Sequence, residues 1–363
     1  MDRNYKFRLY PSKAQEKDMN THRWIAKNLW NTLLAHCKDT YEKTGRFPTK
    51  SQLQSMTKYS GLYSQSSQNI SHKIHNAMLR YFKLRKKGGR VGFPRFKSID
   101  RLKSVYYPQS GFKLDNKLKV SPFGEISIVK HREINGKIKT LTLKREASGK
   151  WFAVFCVEQE AEIPRENNGE KVGIDLGLKT FGTLSNGDKI KNPRHLKQYE
   201  DRLASYQKRL AKMKKGSKNR WKQKKKIAVL HEKITNTRAD FLHKTSNKLV
   251  NDYSLIALEK LASQEMSEHN YGKYINDAGW GMFANMVSYK AESAGCKVVF
   301  VNPRDTTKTC HICGNKRDMP LNERIYECEN CGMIEDRDLN ASKNILIRAT
   351  EGHSGGKACG ELQ

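Results

Sequence analysis

The chain has 363 residues, which is the length of about two or three domains, and its 69 Lys and Arg against 37 Asp and Glu give a formal net charge of +32. Self-repulsion at this charge opposes compaction, so we expect a polyanion such as nucleic acid to neutralise it, rather than an evenly basic surface that is merely solvated. No apolar run approaches the roughly 20 residues that span a bilayer, and no secretory signal opens the chain. These features exclude a membrane protein and predict a cytoplasmic one whose cysteines are reduced.

The first part of the chain is predicted to contain one strand followed by helices. A strand that stops at Pro11 is indicated by three apolar residues that alternate with polar ones: Tyr5, Phe7 and Leu9. Apolar residues then recur at helical spacing over residues 12–88, where Ser12 and Gln15 can form a capping pair. The predicted buried stripe of the first helix includes these residues: Trp24, Ile25, Leu29 and Leu33. We therefore expect a small helical bundle at 12–88, inserted after the strand of residues 1–11.

A basic connector leads from the helices into a stretch of predicted strands. Residues 86–97 mix basic and aromatic side chains with glycine and proline, which suits either nucleic-acid contact or an ordinary linker. Strands are predicted beyond it at 117–120, 125–129, 137–143 and 151–157, and the dipeptides Asn135-Gly136 and Ser148-Gly149 are typical of hairpin turns. Short, regularly spaced strands predict a small barrel or sandwich over 89–165, to which the strand at 1–11 would belong.

Strands and helices alternate after residue 165, which predicts an α/β domain. The predicted strands are 172–174, 255–258 and 298–301, and the last two are continuously apolar, as in a buried parallel sheet. The predicted helices are 193–213, 219–250 and one that ends at Gly295. The residues after Thr350 are Gly-rich and aperiodic, so we expect a disordered tail at 350–363.

Two of these helices meet in a strongly basic hairpin around Gly216 and Ser217. The facing ends carry eleven cations and no acid at helical spacing, so contact with nucleic acid is favoured over a solvated surface. The predicted nucleic-acid-binding residues are Lys208, Arg209, Lys212, Lys214, Lys215, Lys218, Arg220, Lys222, Lys224, Lys225 and Lys226.

Three acids stand where a predicted strand or helix meets a loop. Asp175 follows a strand, Glu259 ends the strand at 255–258, and Asp338 opens a helix. Each alone has an ordinary explanation, since an acid can cap a turn or helix or pair with a neighbour such as Lys260. Together they would converge at the carboxyl end of a sheet, where they would repel one another unless cations such as a pair of Mg²⁺ ions bound them. Two such ions can hydrolyse a phosphodiester, so we predict catalytic and Mg²⁺-binding roles for all three acids.

Two CxxCG motifs near the end of the chain predict a zinc site. Cys310 and Cys313 form the first pair, Cys328 and Cys331 the second, and each pair is followed by glycine. Four thiolates suit one tetrahedral Zn²⁺ in a closed, structural site. His311 lies between two ligands and is not expected to be one. The other cysteines show no partner pattern: Cys37, Cys156, Cys296 and Cys359.

The segment from Gly169 to Ile347 resembles TnpB, a nuclease family encoded by many bacterial insertion sequences. The resemblance rests on Gly173-Ile174-Asp175-Leu176-Gly177, Leu258-Glu259-Lys260-Leu261, the two cysteine pairs and Asp336-Arg337-Asp338-Leu339-Asn340-Ala341. The first half resembles the family more weakly, through Tyr10-Pro11-Ser12 and Phe93-Pro94-Arg95-Phe96-Lys97.

The resemblance implies a multidomain α+β protein whose RuvC-like nuclease domain has the ribonuclease H fold. That domain would span 166–303 and 335–349, with the zinc ribbon at 304–334 inserted before the last helix. A wedge-like barrel at 1–11 and 89–165 would carry the helical recognition domain. The catalytic acids implied are Asp175, Glu259 and Asp338, with Asp336 as an alternative to the last.

The resemblance also implies an RNA-guided DNA endonuclease of a bacterium or archaeon, associated with the nucleoid and similar to type V CRISPR effectors. Its partners would be a transposon-encoded guide RNA and target double-stranded DNA, cut beside a short adjacent motif. Three rivals remain: a guided repressor that does not cut, a transposase that joins DNA ends, and a protein-only structure-specific nuclease. The repressor is expected to lose acids that this chain keeps, and the ribbon before the last acid fits a transposase poorly.

Overall fold

A computed structural model describes residues 2–160, 164–261, 272–320 and 322–351. Two compact units divide the chain, at 1–161 and 162–363. Within the described residues, none of the helices is both long and apolar enough to cross a membrane. The tail predicted at 350–363 lies outside the described residues from residue 352 onward.

The first unit is built on an antiparallel sheet of seven strands. They are β1 (Asp2–Tyr10), β2 (Ser104–Tyr107), β3 (Phe112–Leu114), β4 (Leu118–Val120), β5 (Gly124–Val129), β6 (Lys137–Arg145) and β7 (Trp151–Glu158). The order β2-β6-β7-β1-β5-β4-β3 places the strand that opens the chain between β7 and β5. The predicted strands are confirmed within a few residues, whereas closure into a barrel stays a prediction.

Alternation along β1 explains its central place in this sheet. Its residues 5, 7 and 9 are buried and lie opposite Phe155, Ala153 and Trp151 of β7, which are buried too. The polar residues between them point to the other face. The same period-two pattern that predicted the strand therefore builds the core.

Three helices lie between β1 and β2 in the chain: α1 (Lys13–Thr44), α2 (Lys50–Ser55) and α3 (Ser64–Lys86). The predicted capping pair is confirmed, since the Ser12 hydroxyl accepts from the backbone N–H of Gln15 and the Gln15 side chain accepts from that of Ser12. At the other end α1 stops at Gly45, whose φ of 66° is left-handed.

The predicted buried stripe of α1 was wrong at Trp24, which is 55% exposed. The stripe that is buried consists of Met19, Arg23, Ala26, Trp30, Leu33, Leu34 and Cys37. It includes a charged residue because the Arg23 guanidinium donates to the carbonyl oxygens of Leu102, at 2.9 Å, and Ile99, at 2.9 Å. These long-range acceptors offset the cost of burying the Arg23 charge. The buried face of α1 therefore includes Arg23 and excludes Trp24.

The second unit is built on a mixed sheet of five strands. They are β8 (Glu170–Leu176), β9 (Thr180–Leu184), β10 (Lys189–Lys191), β11 (Tyr253–Glu259) and β12 (Lys297–Val301), in the order β10-β9-β8-β11-β12. Neighbouring strands β8, β9 and β10 are antiparallel, whereas β8, β11 and β12 run parallel. Strand β11 has a neighbour on each side and is buried at residues 255–258, as predicted for a strand of a buried parallel sheet. Strand β12 was predicted to be buried, which was wrong, because it forms an edge and leaves Phe300 exposed.

The second unit has five described helices: α4 (Glu200–Ala211), α5 (Lys218–Asp252), α6 (Gly272–Ala278), α7 (Trp280–Ala294) and α8 (Arg337–Thr350). Helix α4 packs on α5, and the other four cover the two faces of the sheet. Side chains of α5, α6 and α7 pack with Val172, Ile174, Ile256 and Leu258 on one face. Ile345 of α8 packs on the other face. Helix α4 begins at residue 200 instead of 193, because a loop and a short 3-10 turn at Lys197–Tyr199 precede it.

A glycine lets α8 approach strand β8 closely. A Cβ at Gly173 would overlap the backbone oxygen of Ser342 and lie 2.7 Å from the backbone nitrogen of Leu346. The glycine of the motif Gly173-Ile174-Asp175 is therefore a packing requirement for the helix that carries Asp338. Between β12 and α8 lies a small module with the hairpin β13 (Ile325–Glu327) and β14 (Ile334–Asp336).

Candidate active site

Asp175 and Glu259 lie at the carboxyl ends of adjacent parallel strands. Ile174 of β8 pairs with Leu258 of β11, so the next residue along each strand is one of the two acids. Asp338 lies in the first turn of α8, the helix that packs on β8. The three acids predicted from the sequence thus reach one edge of one sheet, the usual place for a ligand in α/β folds.

Burial and the neighbouring acids both disfavour the ionised form of Asp175. The pKa of the Asp175 carboxyl is raised to about 8, first by burial and then by the charges of Glu259 and Asp338. Asp336 adds to this rise, and the Arg337 guanidinium opposes it. A carboxyl with a raised pKa among other acids is a site where a bound cation would relieve repulsion.

Burial also raises the pKa of Glu259, while the hydrogen bond from Thr306 and the charge of Arg348 oppose that rise. Both acids at the strand ends therefore have a raised pKa in the absence of a cation.

Asp336 and Asp338 have different surroundings. Asp336 is the N-cap of α8: its Oδ1 accepts from the backbone N–H of Asp338, at 2.9 Å, and its Oδ2 pairs with Lys189, at 2.8 Å. Burial alone would raise the pKa of Asp336, but Lys189 and the backbone donors bring it below its usual value. Asp338 faces the guanidinium groups of Arg337, at 3.3 Å, and Arg324, at 3.9 Å. Since Asp336 is engaged in capping, Asp338 is the better candidate for a metal ligand.

A residue that the sequence pattern did not indicate completes this neighbourhood. Thr306 is buried, and its Oγ1 lies 2.5 Å from Glu259 Oε1. A lone threonine in a loop gives no local signal, because the contact depends on a strand end 47 residues away in the chain. Only its place just before the first cysteine pair could have drawn attention to it.

The four predicted zinc ligands come together. Their Sγ atoms all lie within 4.8 Å of one another, with Cys310 to Cys331 at 3.7 Å and Cys313 to Cys328 at 3.5 Å. Four sulfurs about 2.3 Å from a tetrahedral ion would be roughly 3.8 Å apart, so the cluster has the size that Zn²⁺ requires. Hydrogen bonds from the Asn330 side chain and the Asn315 backbone lower the pKa of the Cys313 thiol to about 6.

The two cysteine turns have the same local geometry. The backbone N–H of Gly314 donates to the carbonyl of Cys310, and that of Gly332 to the carbonyl of Cys328, at 3.0 and 2.8 Å. Both glycines are left-handed, with φ of 74° and 71°. His311 lies outside the cluster, since its Nδ1 is 3.0 Å from Asn340 Oδ1. Cys37 and Cys296 are buried elsewhere, and Cys359 lies outside the described residues.

The basic hairpin of α4 and α5 presents nearly all its predicted cations to solvent. Ser217 caps α5, and apolar side chains that include Leu203 and Leu230 hold the two helices together. Ten of the eleven predicted residues are exposed. Arg220 is the exception: it is partly buried and donates to the carbonyl oxygens of Leu210 and Met213, so it closes the end of α4. Trp221 is 57% exposed among these cations.

The basic connector packs on α1. Asn31 receives a hydrogen bond from the backbone N–H of Lys97 at 2.8 Å and donates to its carbonyl at 3.0 Å. The Lys97 ammonium lies 3.2 Å from the ring centre of Trp30, whose Nε1 donates to Arg95. This part of the connector has a structural role, and the Lys97 ammonium already has a partner in the Trp30 ring.

Three family models match successive parts of the chain. One described as "Probable transposase" (OrfB_IS605) matches residues 154–270, a Cas12f1-like TNB domain matches 280–345, and a helix-turn-helix domain of the same transposase group matches 1–46. Within the last range the structure has strand β1 and the single long helix α1.

Curated relatives align over nearly the whole chain. A protein of Streptomyces pristinaespiralis named "Putative RNA-guided DNA endonuclease" is 29% identical, covering 99% of this chain and 91% of the relative. The InsQ protein of Escherichia coli, with the same description, is 28% identical, covering 99% and 94%. The TnpB-like protein L79 of Acanthamoeba polyphaga mimivirus is 29% identical over 57% of this chain and 43% of its own length. The chain is thus similar over nearly its whole length to proteins described as RNA-guided DNA endonucleases, and over part of its length to TnpB-like proteins.

Proposed function

We propose that this protein is an RNA-guided DNA endonuclease that hydrolyses target double-stranded DNA beside a short adjacent motif. The observation that carries the proposal is that Asp175 and Glu259 end adjacent parallel strands and Asp338 lies in the first turn of the helix packed on them. The raised pKa of Asp175 agrees with this gathering of acids. An arrangement that destabilises its own carboxylates fits a site whose charge is balanced by bound cations. The full-length alignment with relatives described as RNA-guided DNA endonucleases supports the same reading.

The residues that would hold the catalytic ions are Asp175, Glu259 and Asp338. Two bound Mg²⁺ ions would supply an activated water and stabilisation of the leaving oxygen. Asp175 and Glu259, fixed by adjacent strands, would set one side of the site, and Asp338 on α8 the other. The neighbouring guanidinium groups of Arg324 and Arg337 would attract the phosphate backbone of DNA.

The second metal would be one structural Zn²⁺ held by Cys310, Cys313, Cys328 and Cys331. The cluster fits a closed tetrahedral site in its sulfur spacing. In this proposal residues 304–334 are a zinc ribbon inserted in a RuvC-like domain of ribonuclease H fold, made of 166–303 and 335–349. The strand order β10-β9-β8-β11-β12, with two antiparallel and two parallel pairs of neighbours, supports that fold.

The nucleic-acid partners would be a guide RNA, encoded by the transposon, and target DNA. Base pairing would supply sequence specificity, and the exposed cations of the α4–α5 hairpin would neutralise backbone phosphates. The first unit would supply a barrel-like domain at 1–11 and 89–165, with the helical recognition domain at 12–88. A non-cutting repressor is not favoured, since the chain keeps all three acids.

The guided reading is tested with protein purified together with its co-expressed guide RNA. With Mg²⁺ present it should cut duplex DNA that matches the guide, and removal of the RNA should abolish cutting. Asp175→Asn should also abolish cutting but keep RNA binding, whereas Asp240→Asn, at an exposed position on α5, should cut normally. Equal cutting by the RNA-free protein would contradict the guided reading.

A further inference from the structure

The Glu259 carboxylate receives a hydrogen bond from the segment that leads into the first cysteine turn. Thr306 Oγ1 lies 2.5 Å from Glu259 Oε1 and 3.1 Å from the carbonyl oxygen of Pro303. A hydroxyl has one proton to donate and a carboxylate only accepts, so the shorter contact is the bond to Glu259. Its length is that of a charge-assisted O–H···O bond, and burial of Thr306 shields it from water.

Side chains of helix α8 hold the backbone of Thr306 in place through hydrogen bonds. The Asn344 side chain donates to the carbonyl oxygens of Thr306, at 3.0 Å, and Thr309, at 2.6 Å. One turn earlier, Asn340 donates to Thr309 at 2.8 Å and accepts from the backbone N–H of His311 at 3.0 Å. Both asparagines are buried. The helix that presents Asp338 therefore also anchors the turn that holds Glu259.

Glu259 needs such an anchor more than the two aspartates do. A glutamate has one more rotatable bond than an aspartate, and Glu259 lies at the end of its strand. Restricting that freedom before a cation arrives lowers the entropic cost of binding. Neighbours that orient metal ligands commonly change metal affinity by about 10- to 100-fold when they are removed.

We propose that Thr306 is a positioning residue that holds Glu259 in the orientation needed to share divalent cations with Asp175 and Asp338. Asn340 and Asn344 keep Thr306 in place by bonding the turn between Thr306 and His311 to α8. The cysteine module thereby contributes to the order of the active site as well as to local stability. This inference rests on the proposed function, because it presumes that the three acids bind metal.

The test is the affinity of the purified full-length chain for Mn²⁺, followed by the paramagnetic resonance of the free ion in the absence of nucleic acid. Thr306→Val removes the hydroxyl and keeps the shape, so it should weaken Mn²⁺ binding by about tenfold or more. Thr306→Ser keeps the hydroxyl and should bind Mn²⁺ as the unsubstituted chain does. Rescue by serine separates a hydrogen-bonding role from a loss of packing.

A matched control lies in the same turn. The Thr309 hydroxyl donates to the carbonyl of Asp305 at 2.8 Å, so Thr309→Val removes a local hydrogen bond and should leave Mn²⁺ binding unchanged. Zinc content and melting temperature, measured for every variant, identify any that fail to fold. Thr306→Ala serves as a second hydroxyl-free variant should the valine lower the zinc content.

Wild-type Mn²⁺ affinity in a folded variant that lacks the Thr306 hydroxyl would overturn the inference. So would an equal loss of affinity in Thr309→Val, since that would indicate general damage to the turn. The proposed function fails differently: if Asp175→Asn leaves Mn²⁺ binding unchanged, the acids are not the metal site, whatever Thr306 does.

Discussion

Asp175 lies at the end of a buried strand, and two more acids contribute to its electrostatic field. Placing a carboxylate there costs stability in the absence of a cation, because neither burial nor neighbouring negative charge favours its ionised form. The arrangement is understandable if the site is built for ligands that bring positive charge. Stability and function are then opposed at this residue.

Asp175→Asn should stabilise the metal-free protein while it removes activity. The folded-state pKa of Asp175 is about 8 against 3.8 for an unperturbed Asp, so the folded state binds more protons between those values and its stability falls as pH rises across them. The melting temperature of the variant in a chelator should therefore exceed that of the wild type, with a gap that grows from about pH 4 to pH 8.

Magnesium should reverse this difference. A ligand that binds only the folded state raises its melting temperature, so Mg²⁺ should stabilise the wild type and not Asp175→Asn. Equal melting temperatures of the two proteins in chelator across this pH range would contradict the electrostatic account of the site.

Close packing of α8 on β8 connects the acids at the scale of secondary-structure elements. Gly173→Ala places a methyl group against the backbone of α8, which should lower the free energy of unfolding by about 1 to 3 kcal/mol. Urea unfolding gives the measurement. Gly92→Ala is a suitable control, because a Cβ there meets open space, and its unfolding curve should match the wild type. An unchanged curve for Gly173→Ala would show that the helix can move away at little cost.

The α4–α5 hairpin is the element assigned to nucleic-acid contact. Replacing Lys214, Lys215 and Lys218 with alanine should weaken RNA binding and reduce the slope of log K against log salt by about two to three. The same three changes to arginine keep the charge and should leave the slope nearly unchanged. A triple alanine variant with the wild-type slope would indicate that these exposed lysines do not contact phosphate.

Local sequence patterns predicted the elements well and long-range partners poorly. The alternation of apolar and polar residues predicted β1. Serine caps begin α1 and α5, and a glycine ends α1, and such signals can be read from neighbours in the chain. Arg23 and Thr306 could not be predicted, since each is buried only because a distant group accepts its hydrogen bond. The edge position of β12 was missed because an apolar run does not reveal how many neighbouring strands it has.

For the whole molecule, the net charge of +32 and three clustered acids have complementary consequences. The positive charge would attract nucleic acid to the protein. The cluster of acids would bind the divalent cations needed for hydrolysis. The convergence of the acids was predicted from their place in the chain, each beside an apolar strand or helix. They lie 84 and 79 residues apart, yet they come from adjacent strands and the helix that packs on them. Only folding brings them together.

A mutant cycle on guided DNA cleavage tests most directly whether these acids act as one metal site. The variants are Asp175→Asn, Glu259→Gln and Asp338→Asn, each alone, and Asp175→Asn combined with Asp338→Asn. If the acids act as a unit, each single variant should lose nearly as much cleavage as the double variant, while all keep RNA binding. Substantial cleavage by any single variant, or losses that multiply in the double variant, would contradict a shared site.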